Sequence, residues 1–254
     1  MSAPLDSNRD KNSTRTALID FRIFSENWER RVGGFLAGFV FLGLAARLIR
    51  YLLGFPLWPD ETFLAANFLD GKFSDLLGTL DYHQVAPLFF LWIEQLIVNI
   101  LGFSEYTLRL FPFLAGLTSV IVFYRLAAKL TKGSARLLAV AVFSVSYYPI
   151  RHSAEVKPYS IDLLVSLIFL TLAVEWWSRP ERNRPLWKLT AFAPAAVGLS
   201  FPAVFVGGAV SLGVLLTIWK SKIKKALLPW AAYSLALAVS FLVIYAVSTG
   251  VQYK

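Results

Sequence analysis

The most regular feature of this chain is a series of long apolar runs separated by short charged segments. The first run, residues 32–55, exceeds the roughly 20 residues that a helix needs to cross a bilayer. Six later runs have a similar character, and we predict that they also cross: 111–126, 137–150, 159–177, 189–200, 203–219 and 226–248. The pattern therefore predicts an all-α fold, a polytopic transmembrane helical bundle of about seven spans.

Composition strengthens this interpretation, since 57% of the 254 residues are hydrophobic and only 16% are charged. These values are far from those of a soluble domain. Residues 1–31 are polar and mixed in charge, and we predict a cytoplasmic tail. Residues 32–254 are then one transmembrane domain, in which residues 55–110 are a long loop. The first apolar run is too long for the core of a signal peptide, so we expect an uncleaved anchor.

The distribution of charge predicts which side each loop occupies. Positive charge gathers in the tail and in three loops, 125–136, 179–188 and 220–225, as is typical of cytoplasmic segments. Loop 55–110 is acidic instead. All four basic segments share one side only if the apolar stretch 86–102 does not cross, so we predict an interfacial or re-entrant helix there, on the outer side. The C-terminus is then also outside.

A second ionisable segment lies between two of the later apolar runs. Arg151, His152, Glu155 and Lys157 all fall within residues 150–158. The same topology puts this segment outside, at the face that loop 55–110 occupies. Ionisable groups at such a depth usually face a cavity and mark function. We therefore predict one site on the outer face, built from both segments.

Four segments carry a resemblance to a known family: Pro59-Asp60-Glu61, then residues 80–89 (LDYHQVAPLF), 105–112 (EYTLRLFP) and 153–159 (SAEVKPY). In this order and spacing they resemble the family 39-type membrane glycosyltransferases. That family includes the protein mannosyltransferases, the aminoarabinose transferases and the RgtA/B/C/D-like bacterial enzymes. The resemblance runs from about Trp58 to Trp219.

The resemblance implies a GT-C-like transmembrane domain over residues 32–254, whose outer loop 55–110 carries interfacial helices and the catalytic motif. It also implies a polyprenyl- or dolichyl-phosphate sugar donor and transfer of a hexosyl or pentosyl group on the outer face, with inversion. The acidic pair of the family corresponds to Asp60 and Glu61. Members are commonly much longer, so we expect this chain to be an N-terminal half, truncated at the C-terminus.

The chemistry of such a transfer assigns a role to the acidic pair. Displacing a phosphate from an anomeric carbon needs a base that takes the proton of the acceptor. We predict that Asp60 is this base and that Glu61 positions the acceptor or modulates Asp60. The alternative is that the pair only begins an interfacial helix, because acids favour helix N-termini and Pro59 suits the first turn.

The leaving phosphate needs cations and hydrogen-bond donors. The candidates for binding the donor phosphate are Lys157, Arg151, Arg109 and Tyr159. The candidates for positioning the substrate are Tyr82, His83, Gln84 and Glu155. Plainer alternatives stay open: Lys157 at a helix start extending to the interface, Arg109 as a partner of Glu105, and His83 as an incidental loop residue.

The chain has two histidines and no cysteine, which argues against a transition-metal site formed by its side chains. We therefore predict no cofactor. Carboxylates could still hold a divalent cation. The expected partners are a lipid-linked sugar donor, membrane lipids and an unknown acceptor, which is a lipid, a glycan or a protein. No nucleic acid is expected, because the net charge of +9 is spread over short loops. We expect a multi-pass protein of the plasma (inner) membrane that serves cell-envelope glycosylation.

Two other classes remain open from the sequence. One is a non-catalytic, truncated paralogue that acts as a lipid- or partner-binding membrane subunit. The other is a small transporter, which would be expected to have polar groups near the midplane in paired halves. No internal repeat is apparent, so the transporter ranks third.

Overall fold

The computed structural model describes residues 32–69 and 72–252, and this part of the chain is helical without strands. The α-helices are α1 Val32–Leu52, α2 Pro59–Ala65, α3 Leu88–Leu101, α4 Glu105–Leu130, α5 Gly133–Val145, α6 Tyr147–His152, α7 Tyr159–Ser178, α8 Arg184–Leu199, α9 Ala203–Ser221, α10 Leu227–Ile244 and α11 Gly250–Gln252. A π-helical turn, Tyr245–Thr249, joins α10 to α11. The predicted cytoplasmic tail, 1–31, lies outside the described residues.

Five helical segments in the described part are long and apolar enough to cross a membrane: α1, α4, α7, α9 and the continuous stretch Lys224–Gln252. They contain four of the later predicted spans: 111–126, 159–177, 203–219 and 226–248. The remaining two predicted spans fall on shorter helices, which brings the count below the expected seven. The molecule is a polytopic helical bundle, as the sequence predicted.

The predicted span 137–150 is interrupted in the structure. Helix α5 ends at Val145, Ser146 adopts an extended conformation with ψ 128°, and α6 begins at Tyr147. Pro149 explains the interruption, because it lacks the N–H that would bond to the carbonyl of Val145 and its ring would clash there. The predicted span 189–200 lies in α8, whose 16 residues are fewer than the roughly 20 that a crossing needs.

The long loop begins and ends at one end of the bundle. The hydroxyl of Tyr51, in α1, donates to the carbonyl of Tyr106 in α4 at 2.8 Å, and the hydroxyl of Tyr106 donates to the carbonyl of Leu52 at 3.1 Å. Helix α3, between them, has only 14 residues. The prediction that 86–102 stays on one side of the membrane agrees with this geometry. We call this the loop end of the bundle.

The basic loops meet at the opposite end, which we call the basic end. The side-chain nitrogen of Asn183 donates to the carbonyl of Lys225 at 2.9 Å and joins the loops 179–188 and 220–225. Val32, the first residue of α1, packs with Ala127 near the end of α4. The chain returns to the loop end at Gln252, whose side-chain oxygen accepts the N–H of Ala86 at 3.2 Å.

The main hydrophobic core lies among α7, α8 and α10, where Phe169, Trp176, Leu189 and Tyr233 are fully buried. The hydroxyl of Tyr233 donates to the carbonyl of Gly207 at 2.8 Å and fastens α10 to α9. This core supports the helices whose ends carry the charged segments. The packing of these helices therefore determines where the charged side chains at their ends lie.

Candidate functional site

The acidic pair begins helix α2, and its two side chains face different surroundings. Pro59 occupies the first turn, and the backbone N–H of Trp58 donates to Oε2 of Glu61 at 3.0 Å. The side chain of Asp60 is 63% exposed, whereas that of Glu61 is 2% exposed. The acidic pair does begin a helix, and the side chain of Asp60 lies at the surface there.

Glu61 is the centre of a buried network. The guanidinium of Arg109 donates to both of its carboxylate oxygens, at 3.0 and 3.2 Å from Nη2. The backbone N–H of Val156 donates to Oε1 at 2.7 Å. These contacts join α2, α4 and the segment before α7. Because a buried charge is tolerated only when it is paired and hydrogen-bonded, Glu61 acts here as a connector of three segments.

Arg109 is occupied by the same network. It is 3% exposed, and it also donates to the carbonyls of Phe55 and Pro56. The carboxylate that anchors it is that of Glu61. The structure thus places this predicted phosphate ligand beneath the surface, where it holds the start of the loop against α4.

Lys157 brings the exposed carboxylate together with the second motif. Its Nζ lies 3.7 Å from Oδ2 of Asp60 and donates to Oε1 of Gln84 at 3.0 Å. The lysine side chain is 14% exposed, so most of it is covered by its neighbours. Three predicted site residues, from three separate segments, therefore converge. We call Asp60, Gln84 and Lys157 the surface triad.

A second charged group lies beside the triad. Glu155 accepts hydrogen bonds of 2.6 Å from Nε of Arg151 and of 2.6 Å from Nδ1 of His152. Burial alone would raise the pKa of Glu155, but the bonds from His152 and Arg151 lower it below the usual value. The bond to Glu155 in turn raises the pKa of Arg151. The Arg151 guanidinium lies 5.2 Å from the centre of the Trp58 ring, which connects this group to α2.

The remaining predicted residues lie at the rim. The ring of Tyr159 is 4.7 Å from the ring of His152, and Tyr159 is half-exposed. Tyr82 and His83 both have left-handed backbone angles, φ 57° and 53°, which are uncommon outside glycine. Tyr82 stacks on Phe63 of α2 at 4.9 Å. Strained backbone of this kind occurs preferentially where a segment contacts a ligand.

Three supporting residues escaped sequence reasoning. The backbone N–H of Asp81 donates to Oδ1 of Asn67 at 2.7 Å, and this bond fixes the turn that carries Tyr82 and His83. Gln252 holds the other side of the same motif through Ala86. The sequence offered a signal for Trp58, because this residue lies two positions before Asp60. It offered none for Gln252, which lies 166 residues from its partner Ala86.

Within residues 32–69 and 72–252, no group of three or more His, Cys, Asp or Glu side chains is arranged to hold a metal ion. The charges of the site are instead matched by side chains of opposite sign. What the arrangement can do follows from its exposed members: a carboxylate that can accept a proton, and a cation beside it that can bind an anion.

Fold and site together define a multi-pass integral membrane protein with a charged site at one end of its spans. Comparison with known families agrees: the model described as dolichyl-phosphate-mannose-protein mannosyltransferase matches residues 85–246. This is well over half of the chain, and the chain belongs to that family. Membership makes it a membrane protein of a glycosyltransferase family that uses lipid-linked sugar donors.

The match has a boundary that matters for the site. It includes Arg109, Arg151 and Lys157 but begins after Asp60 and Glu61. The roles of these two acids therefore rest on geometry and on the resemblance of the motif. No curated protein and no solved structure matches the chain.

Proposed function

We propose that this protein is an inverting glycosyltransferase, which moves a hexosyl or pentosyl group from a polyprenyl- or dolichyl-phosphate donor to an acceptor on the outer face of the membrane. The observation that carries the proposal is the surface triad: an exposed carboxylate, Asp60, beside the cation of Lys157 at the loop end of a bundle of this family. Beside the triad, Arg109 is paired with Glu61, and Arg151 is bonded to Glu155.

Asp60 is the proposed base. As the acceptor hydroxyl attacks the anomeric carbon, its proton passes to the Asp60 carboxylate while the bond from the anomeric carbon to the phosphate oxygen breaks. The phosphate leaves with the electron pair of that bond. Asp60 suits this step because its side chain is 63% exposed at the face where an acceptor would approach.

Lys157 is the proposed phosphate ligand. Its amino group is held by Gln84 at 3.0 Å, and its contact with Asp60 is longer, 3.7 Å. A phosphate at this point would gain a charge-assisted hydrogen bond, and these are stronger than neutral ones. Arg151 and Tyr159 lie close enough to Trp58 and His152 to border the same surface, so we keep both as secondary ligands.

Glu61 and Arg109 receive a positioning role in this proposal. Both are buried and satisfied by each other and by backbone groups. They hold α2 against Val156, one residue before Lys157, and so set the distance between Asp60 and Lys157. Glu155 has a comparable role for Arg151. Tyr82 and His83 remain our candidates for contacts with the sugar.

The test compares two variants on the same preparations, by measuring turnover of a lipid-phosphate sugar and the affinity for it. Asp60→Asn keeps the size of the side chain but cannot accept a proton, so turnover should fall by about 10²–10⁴-fold while donor affinity changes little. Lys157→Gln should weaken donor binding by about 1.5–3 kcal/mol. Asp75→Asn, an exposed carboxylate elsewhere in the loop, is the matched control and should leave both measurements unchanged.

Turnover of Asp60→Asn within about threefold of the parent, a loss far below the range for a general base, would end the catalytic assignment. A parent protein that binds the donor through Lys157 without any turnover would favour a lipid-binding subunit instead. The two measurements thus separate the enzyme from the non-catalytic alternative.

A further inference from the structure

The basic end of the bundle contains a polar cavity that the proposed reaction does not use. Its volume is about 470 Å³, and its walls carry the cations Lys129, Arg179, Arg182 and Arg184 together with one acid, Glu175. These residues come from the end of α4, the end of α7 and the start of α8. Three chain segments therefore direct positive charge into one concave space.

The charges of this cavity are largely free of partners. Among residues 32–69 and 72–252, none of the four cations has a carboxylate within 4.0 Å. Glu175 faces Lys188 instead, at 4.0 Å. The cavity thus differs from the candidate site at the loop end, where Arg109 is paired with Glu61 and Arg151 is paired with Glu155. Four cations against one acid leave a net positive space that an anion can enter.

The first turn of α8 adds to the attraction. Its N-cap, Asn183, makes no side-chain cap and uses its amide nitrogen to bind the carbonyl of Lys225. The N–H groups of Arg184 and Leu186 in the first turn are therefore not satisfied by the cap, and Pro185 between them has no N–H. They give the N-terminus a partial positive charge that favours anions, and Arg184 begins this turn.

The position of the cavity, at the ends of two long apolar helices, indicates the source of its ligand. Lys129 lies in the last turn of α4, and Arg179 directly follows α7; both helices are long and apolar enough to cross a membrane. Exposed tryptophans at Trp177 and Trp187 flank the cavity in sequence. Tryptophan is enriched at the level of lipid headgroups. These positions favour the phosphate of a lipid headgroup as the ligand.

We propose that this cavity is a binding site for the phosphate of an anionic phospholipid headgroup, at the membrane face opposite the surface triad. The lipid holds together the ends of α4, α7 and α8, which are otherwise pushed apart by like charges. The site is independent of the proposed transfer reaction, and it binds phospholipid whether or not the protein is an enzyme.

The test uses the full chain, purified in a neutral detergent, and measures binding of dioleoyl phosphatidylglycerol against dioleoyl phosphatidylcholine by native mass spectrometry. The pocket variant is Arg179→Gln with Arg182→Gln and Arg184→Gln. The matched control removes three exposed cations of the same end that lie outside the cavity: Arg125→Gln with Lys132→Gln and Lys220→Gln. Both variants lose the same charge.

The pocket variant should bind phosphatidylglycerol on the order of 100-fold more weakly, since each basic side chain at the membrane surface contributes several-fold to binding. The control should stay within about threefold of the parent, because its cations lie outside the cavity. Equal weakening of both variants would assign the attraction to the overall charge of this end and would overturn the proposed pocket. Unchanged binding in the pocket variant would do the same.

Two further measurements keep the proposal testable if the triple variant folds poorly. Arg182→Gln alone, at an exposed loop position, should still weaken binding several-fold. Glu175→Gln removes the one acid and should strengthen it, a change that loss of folding cannot imitate. Glycerol phosphate that binds as tightly as phosphatidylglycerol would show a site for soluble phosphates and would overturn the assignment to a lipid.

Discussion

Two groups of arginines, one at each end of this bundle, differ in whether a carboxylate neutralises them. At the loop end the guanidinium of Arg109 is buried against Glu61, and Arg151 is bonded to Glu155. At the basic end the arginines around the cavity of α4, α7 and α8 have no carboxylate partner among the described residues. Pairing fixes chain segments in place, whereas unpaired cations remain available to a ligand. In our proposals the paired Arg109 positions segments of the site, whereas the unpaired arginines of the cavity bind the phosphate of a lipid.

The same contrast appears on a smaller scale between two neighbours. Asp60 and Glu61 are adjacent, yet one is 63% exposed and the other is 2% exposed. The side chains of successive helical residues point about 100° apart. In the first turn of α2, Asp60 therefore points to the surface while Glu61 points into the interior. The exposed acid is the candidate base, and the buried one supports it.

The largest effect that tests the comparison is all-or-none. If the basic end is cytoplasmic, a reporter fused after Lys132 reads cytoplasmic and one fused after Gly78 reads external. A third fusion, after Lys222, serves as a control and should agree with the first. A reporter after Lys132 that reads external would reverse the assignment of the two ends.

Breaking the buried pair should cost the most stability. Arg109→Ala leaves the Glu61 carboxylate charged and buried, which should lower the free energy of unfolding by about 3–5 kcal/mol. The measurement is reversible unfolding in mixed micelles. The double variant Glu61→Met with Arg109→Met removes both charges and should lose less than the single change. A single variant that loses less than the double would show that the pair is not energetically coupled.

A smaller, pH-dependent effect is expected at Glu155. Its pKa is lowered in the folded protein, so the stabilisation it provides is complete above the unfolded value, near 4.5, and is lost as the pH falls further. Glu155→Gln should cost roughly 1.5–3 kcal/mol at neutral pH, since it removes charge-assisted bonds. It should also flatten the fall in stability below pH 4.5, measured as the unfolding midpoint against pH. Parallel curves for parent and variant would contradict this assignment.

The smallest effect concerns the close approach of α4 to the segment before α7. A Cβ at Gly116 would lie 2.5 Å from Cβ of Ser153, so Gly116→Ala must displace that segment. We expect a loss of about 1–3 kcal/mol, together with lower turnover because Lys157 moves. Gly38→Ala, where a Cβ meets nothing within 4 Å, is the control and should be neutral or slightly stabilising. Equal effects of the two changes would show that the close contact carries no energetic weight.

Most of the fold could be predicted from the sequence because a span leaves a continuous apolar signal of its own. The interruption at Ser146 could not be seen in hydropathy, since residues on both sides of it are apolar; the one signal was Pro149. The prediction that α3 does not cross came from charge, because only a non-crossing helix puts the basic segments on one side.

The candidate site was predictable only as a set of segments. The order of the motifs indicated that Asp60, Gln84 and Lys157 belong together, and they do meet. The sequence could not indicate that Arg109 pairs with Glu61, because side-chain direction depends on where α2 begins and on a backbone N–H 95 residues away. Contacts of such separation leave no periodic signal.

That long-range bond also sets an order of assembly. Glu61 accepts the N–H of Val156, so this bond of the network cannot form until the ribosome has passed residue 156. Until then the loop after α1 lacks its hydrogen bond to the segment before α7, because that segment has not yet been synthesised. The three segments that Glu61 joins can therefore come together only after the last of them has been made. We expect newly made protein to pass through an interval in which its loop is open to proteases and its helices are already in the membrane.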